Sequence, residues 1–314
     1  MDAQFRPLDP AKFRNPLFTA KGEARAHVAL RSLETLWFNT GTLCNITCRN
    51  CYIESSPRND RLTYLTRADV MKYLDEIARE RMPTRLIGFT GGEPFMNREI
   101  IAILSDVLSR GFEALVLTNA MQPMRRLRTQ LLSLRERYGP RLRIRVSLDH
   151  YSPQVHESER GRGSWAPTID GLLWLTRNRF AIDVAGRRIS GEPEPELRAG
   201  YAQLFRRLEL PIDAEDPVRL MLFPEMDSRS DVPEITTACW GILDKSPEDV
   251  MCASARMVVK RKDAVTPIVL ACTLLAYDPK FELGRTLAEA TGPVSLNHPH
   301  CASFCVLGGA SCSR

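Results

Sequence analysis

The chain has 314 residues and a formal net charge of +5, with 44% hydrophobic and 26% charged residues. That balance belongs to a folded, water-facing protein with room for one large domain or a domain plus a smaller appendage. It excludes a disordered or low-complexity chain, and no apolar run approaches the ~20 residues of a membrane span.

Residues 1–34 mix charge with proline, show no signal-peptide core and read as an N-terminal extension. Residues 35–40 read as a strand feeding a cysteine-bearing loop. Thr66, with Asp69 three residues on, marks a helix start. Val70, Met71, Leu74, Ile77 and Ala78 share one face of that helix, which Pro83 ends. Residues 84–90 read as the next strand. A helix beginning at 97–98 aligns Ile100, Ile101, Leu104, Val107 and Leu108 and stops at Gly111. A strand at 114–118 precedes a basic helix that runs to Tyr138. Its Arg125, Arg126, Arg128, Arg135 and Arg137 stand at helical spacing beside leucines, a solvated face rather than a nucleic-acid site. Strands at 141–148, 181–185 and 218–223 then alternate with helices at 165–178 and 194–208. Pro167 and Pro195 fall in the first turns of those helices, where proline is tolerated. Repeated βα units predict a parallel sheet with right-handed crossovers, spanning 35–228. Residues 229–314 change character and read as a small cysteine-rich domain.

Nine cysteines are present. In a reducing compartment metal or cluster ligation is their ordinary role, and the protein is read as cytoplasmic. Cys44, Cys48 and Cys51 form Cys-x3-Cys-x2-Cys directly after the first strand. Three thiolates this close can hold three corners of a cuboidal iron–sulfur cluster and leave one iron open. A structural zinc site would want a fourth ligand, and no histidine lies near the triplet. Thr90-Gly91-Gly92-Glu93-Pro94 ends the second strand, Thr118-Asn119-Ala120 the third and Ser147-Leu148-Asp149 the fourth.

The triplet followed one βα unit later by Gly-Gly-Glu-Pro closely resembles the radical S-adenosylmethionine (SAM) superfamily. The resemblance implies a partial (β/α)6 TIM-type barrel with function at the C-terminal ends of the strands. It implies that Cys44, Cys48 and Cys51 hold a [4Fe-4S] cluster whose open iron chelates SAM. Reductive cleavage then gives a 5′-deoxyadenosyl radical that abstracts a substrate hydrogen, with electrons from a reductant such as flavodoxin or ferredoxin. By the same resemblance Gly91, Gly92 and Glu93 seat the SAM amine. Asn119, Ser147, Tyr52 and Arg160 are the further expected SAM contacts. Asn50 departs from the family, which usually has an aromatic residue before the third cysteine.

Six more cysteines close the chain: Cys239, Cys252, Cys272, Cys301, Cys305 and Cys312. They resemble the SPASM and shorter twitch auxiliary-cluster domains, although the glycine expected between Val258 and Ala271 is missing. The expectation is one auxiliary [4Fe-4S] cluster on Cys252, Cys272, Cys301 and Cys305, with Cys312 as competitor. A zinc site using His298 or His300 is the competing reading. The auxiliary cluster would accept an electron from a substrate radical or help anchor the substrate.

The substrate expected is a small molecule or a peptide, in an oxidation or rearrangement. The short, proline-rich segment before Thr35 tilts the reading towards a small molecule. A peptide-modifying maturase is the alternative, and a non-catalytic iron–sulfur electron-transfer or redox-sensing protein is the alternative of another class. Neither a membrane nor a nucleic acid is an expected partner. Arg187 and Arg188 are candidates for an acidic substrate group, and Asp149, His150 and Tyr151 lie near a strand end without assigning a general base.

Overall fold

A computed structural model describes residues 6–225 and 227–311. Its main sheet has nine strands. The two-residue strand β1 (His27–Val28) stands outside it, paired with β11 (Val294–Ser295). Strands β2 (Thr35–Asn39), β3 (Leu86–Thr90), β4 (Glu113–Thr118), β5 (Leu142–Ser147), β6 (Ala181–Arg187) and β7 (Leu220–Phe223) lie side by side in chain order. Every neighbouring pair among these six is parallel. These are the six βα units expected from the sequence.

Helices α1 (Arg67–Arg79), α2 (Ile100–Ser109), α3 (Gln122–Arg126), α4 (Arg128–Tyr138), α5 (Pro153–Arg160), α6 (Trp165–Arg177) and α7 (Glu194–Arg207) make the crossovers. α1 starts at a full capping box: Thr66 Oγ1 accepts from the Asp69 N–H, and Asp69 accepts from the Thr66 N–H. α5 is a helix where the sequence analysis has only a loop. Pro153 sits in its first turn, and Gly161 at φ 96° ends it. No helix among the described residues is long and apolar enough to cross a membrane.

Alternation along the strands sorts the core into two layers. Leu36, Phe38, Ile87, Phe89, Val116, Ile144 and Val184 face the helices. Trp37, Leu115 and Met257 face the other way and pack against the cysteine-rich segment, including Cys252, Cys301 and Phe304. That segment is built onto the sheet. β8 (Ala255–Val259) runs parallel to β2, with Trp37 opposite Met257, and β9 (Ile268–Leu270) and β10 (Glu282–Gly284) follow antiparallel. Short helix α8 (Cys239–Ile242) and a π-helical turn, Cys301–Val306, complete the segment.

Candidate active site

The C-terminal ends of the parallel strands open into a cavity of about 1050 Å³, its mouth included. Thr90 of β3, Thr118 of β4, Ser147 of β5, Ala185 and Arg187 of β6 and Phe223 of β7 line it. Cys44, Cys48 and Cys51 form one side, with Tyr52 beside them. Gly91, Gly92, Asn119 and Arg160 are also wall residues. Among the residues expected to bind the cofactor, only Glu93 stands behind the wall.

The glycines serve the cysteine loop first. Gly92 N–H donates to the Gly41 carbonyl at 2.8 Å, and Glu93 N–H to the Leu43 carbonyl at 3.2 Å. A Cβ on Gly92 would lie 2.1 Å from the Leu43 oxygen, and one on Gly91 2.5 Å from the Gly41 oxygen. Gly91 also has φ 127°, a conformation L side chains rarely adopt. The Gly-Gly turn therefore docks directly on the backbone that leads into Cys44.

Glu93 is 1% exposed. Its carboxylate accepts from Thr118 Oγ1 at 2.8 Å, the Asn119 N–H at 2.9 Å and the Phe95 N–H at 3.2 Å. It thus fixes the end of β4 and, through it, Asn119. The Asn119 side chain donates to Asn45 Oδ1 at 2.9 Å and reaches Cys44 Sγ at 3.9 Å. Burial pushes the Glu93 carboxyl up to about 7 against those hydrogen bonds. The native state then holds this proton more tightly than the unfolded chain. The resulting stability is fully present below pH 4.5 and lost as pH rises through about 7. Glu93→Gln removes the titration. The unfolding free energy of the wild-type apoprotein, measured against this variant in urea, should fall between pH 4.5 and 7 and flatten above. A constant difference across that range would show that Glu93 is ionised throughout.

Helix α5 supplies the opposite brace. Glu159 accepts from Arg49 N–H through its carbonyl at 2.7 Å. Its carboxylate takes the Asn50 amide at 3.1 Å to both oxygens and Arg187 at 3.3 Å. Asn50, the departure from the family pattern, is thus a tether of the cysteine loop to α5. Arg160, next along, makes a two-pronged pair with Asp149 at 2.8 and 3.0 Å. His156 is fully buried and accepts from the Asp149 N–H at 3.2 Å through Nδ1; burial pushes it down to about 4, so it stays neutral. Arg187 and Arg188 are both paired, to Glu159 and Glu194. His150 and Tyr151 both bond Glu192.

Burial pushes the Cys44 thiol up to about 12 and raises Cys48, whose rise the Arg160 cation opposes. Both are therefore thiols until a metal claims them. The walls fit an iron–sulfur cluster with a ligand on its fourth iron. They offer three cysteines, no histidine and no fourth cysteine, and the one carboxylate, Asp149, is held on both oxygens by Arg160. The side away from the cysteines is apolar: Ala185, Phe223, Leu274 and Phe304, with the two phenylalanine rings stacked 5.4 Å apart. Sequence reasoning missed Glu159 and these apolar residues. Serine before Pro153 and glycine at 161 were the available signals for α5; nothing local marks the apolar wall.

In the C-terminal segment, Cys252 lies in a 3-10 turn, Cys272 just past β9, and Cys301 and Cys305 in the π-helical turn. Burial raises the Cys252 thiol to about 11 and Cys301 higher, and Cys301 feels the charges of Cys272 and Cys252. Cys239 instead accepts from the Thr236 N–H at 3.4 Å. Cys312 lies outside the described residues. Arg256 is 1% exposed and packs beside Cys252 and Cys272. Its hydrogen bonds go to the carbonyls of Cys252, Ala255, Ala290 and Gly292. It has no acidic partner among the described residues.

Comparison with known proteins agrees with this geometry. Residues 38–187 match the radical SAM superfamily. Over 143 residues, 45% of the chain, it is 32% identical to the antilisterial bacteriocin subtilosin biosynthesis protein AlbA of Bacillus subtilis (strain 168). The match covers 30% of AlbA. SuiB of Streptococcus suis bound to S-adenosylmethionine superposes with TM-score 0.58 at 10% identity, over 81% of this chain and 63% of SuiB. SuiB bound to its precursor peptide SuiA gives 0.59 at 9%, over 84% and 66%. The enzyme anSMEcpe with bound AdoMet gives 0.59 at 14%, over 82% and 77%. The chain thus spans under a third of AlbA and under two thirds of SuiB. At such identities the structures speak to the fold alone.

Proposed function

Residues 38–187 make this chain a radical SAM protein, and from that premise we propose that it modifies a peptide by hydrogen-atom abstraction. The observation that carries the chemistry is the cavity in which three cysteines, the Gly-Gly turn and four polar strand ends meet with no fourth protein ligand. The peptide part is supported by the similarity to AlbA, a bacteriocin biosynthesis protein.

A cluster and SAM bound there supply a 5′-deoxyadenosyl radical that can take a substrate hydrogen. Cys44, Cys48 and Cys51 would hold three irons as thiolates, each giving up its proton on loading. The buried Arg160 cation offsets their charge while Asp149 keeps its fork in place. The Gly91-Gly92-Glu93 turn would seat the SAM amine, with Asn119, Ser147 and Tyr52 as polar contacts. Phe223, Leu274 and Phe304 exclude water from the far side, where a radical must be protected from side reactions.

We infer one auxiliary cluster on Cys252, Cys272, Cys301 and Cys305. Its support is Arg256, a buried cation hydrogen-bonded to carbonyls next to two of those cysteines. A buried charge is costly unless paired, and an anionic cluster would pair it. Cys301→Ala is expected to lower iron from about eight to about four per chain and to leave SAM cleavage measurable. Unchanged iron content would remove Cys301 from the ligand set.

The functional test uses anaerobically reconstituted protein with SAM and dithionite. Deuterated short peptides are expected to pass deuterium into 5′-deoxyadenosine. Deuterium arriving only from a deuterated small-metabolite mixture would overturn the peptide substrate and keep the enzyme. No 5′-deoxyadenosine with either mixture would favour an electron-transfer protein.

A further inference from the structure

A second cavity, of about 1040 Å³, lies on the cysteine-rich side of the molecule and shares no wall residue with the first. Arg14, Pro16, His27, Lys280, Phe281, Leu283, Pro293, Val294, Ser295 and Asn297 line it. No acidic residue is among them.

Three features meet there. The first is charge. Neither Arg14 nor Lys280 forms an ion pair among the described residues, although most other cations of this segment do: Lys260 pairs Asp69, Arg261 pairs Glu282 and Lys262 pairs Asp60. The second is unused strand edge. β10, which carries Leu283, is the last strand of the nine-stranded sheet, and β11, which carries Val294 and Ser295, belongs to a sheet of only two. Each has a side with no strand partner, and such sides accept an added strand. The third is a hydrophobic floor of Phe281, Leu283, Val294 and two prolines.

The groove is held in shape rather than left loose. Arg25 bonds Glu234 and the carbonyls of Asn15 and Phe18. Glu234 also accepts from the Phe13 and Ala20 N–H groups at 2.7 Å each. These bonds clamp the N-terminal strap that presents Arg14. The Asn297 amide ties the same strap to the far wall by donating to the Phe13 carbonyl at 3.0 Å.

We propose that this groove binds an extended, acidic peptide segment, which adds a strand along β10 or β11, sets its carboxylates on Arg14 and Lys280, and lays alternate apolar side chains on the floor. As a recruitment site for the substrate it rests on the peptide reading above; as a binding site it does not.

The test uses the reconstituted full-length protein and a fluorescein-labelled ten-residue peptide of alternating Glu and Val, read by fluorescence anisotropy at low salt. A lysine-for-glutamate counterpart is the charge control, and a probe with N-methylated backbone amides is the strand control. The acidic probe should bind, the other two at least tenfold more weakly. Arg14→Glu combined with Lys280→Glu should weaken the acidic probe at least tenfold and leave SAM cleavage at the wild-type rate, which also reports folding. Equal binding of the acidic and lysine probes, or an undiminished affinity in the double variant, would overturn the acidic site. Equal binding of the N-methylated probe would overturn strand addition. None of these readouts depends on what the first cavity does to a substrate, so this inference and the peptide-modifying reading can fail separately.

Discussion

Cys48→Ala is expected to bring 5′-deoxyadenosine formation down to background. Cys48 lines the active cavity between Cys44 and Cys51 and faces the Arg160 cation. Without it two protein thiolates remain, and a cuboidal cluster with one iron already given to SAM is left a ligand short. The loss should be local. Cys48 sits on a loop after β2, is half-buried, and belongs to no strand or helix. Iron should fall by about four per chain, while the iron on the C-terminal cysteines and the far-UV circular dichroism stay unchanged. The measurement pairs iron analysis with anaerobic turnover in dithionite. Retained deoxyadenosine production would remove Cys48 from the cluster.

Gly92→Ala should do nearly the same damage with every cysteine in place. The added methyl would lie 2.1 Å from the Leu43 carbonyl oxygen and 2.6 Å from its carbon. Both are backbone atoms, so no side chain can swing away. Either the Gly-Gly turn or the segment leading into Cys44 must move, and overpacking of this kind costs about 1–3 kcal/mol. The Gly92 and Glu93 N–H bonds to Gly41 and Leu43 would be strained together, and Cys44 would shift relative to Cys48 and Cys51. Activity is expected to fall at least ~100-fold, since misplacing reacting groups by about 1 Å costs that much. Gly111→Ala is the matched control. Gly111 also has positive φ, at 94°, but a Cβ there meets nothing within 4 Å. It should cost some stability and no activity. Equal losses in both variants would mean that backbone strain, not the contact with the cysteine loop, is responsible.

Much of this was legible locally. The βα alternation is written in hydrophobic period and in caps such as Thr66–Asp69, both of which act over three or four residues. The cysteine triplet is legible for the same reason, because its ligands lie within eight consecutive positions of a single loop. The place of that loop at a strand's C-terminal end follows from the right-handed βα rule. Helix α5 was missed because His156 and Glu159 put polar side chains on the face it buries, so its pattern is not apolar.

The sequence by itself determined the chemistry on offer and the order of the units that carry it. It determined three thiols before a Gly-Gly turn, polar residues at successive strand ends, and a cysteine-rich finish. Only the tertiary structure decided what those groups are spent on. Glu93 turned to brace Thr118 and Asn119, Asn50 became a tether to Glu159, and Arg256 was buried beside Cys252 and Cys272. It also laid β8 against β2, so that Leu274 and Phe304 of the cysteine-rich segment close the barrel's cavity. The physical reason is range. Propensity, capping and loop spacing act between neighbours in the chain, whereas burial and charge pairing join residues more than a hundred positions apart. A sequence records those partners without recording that they meet.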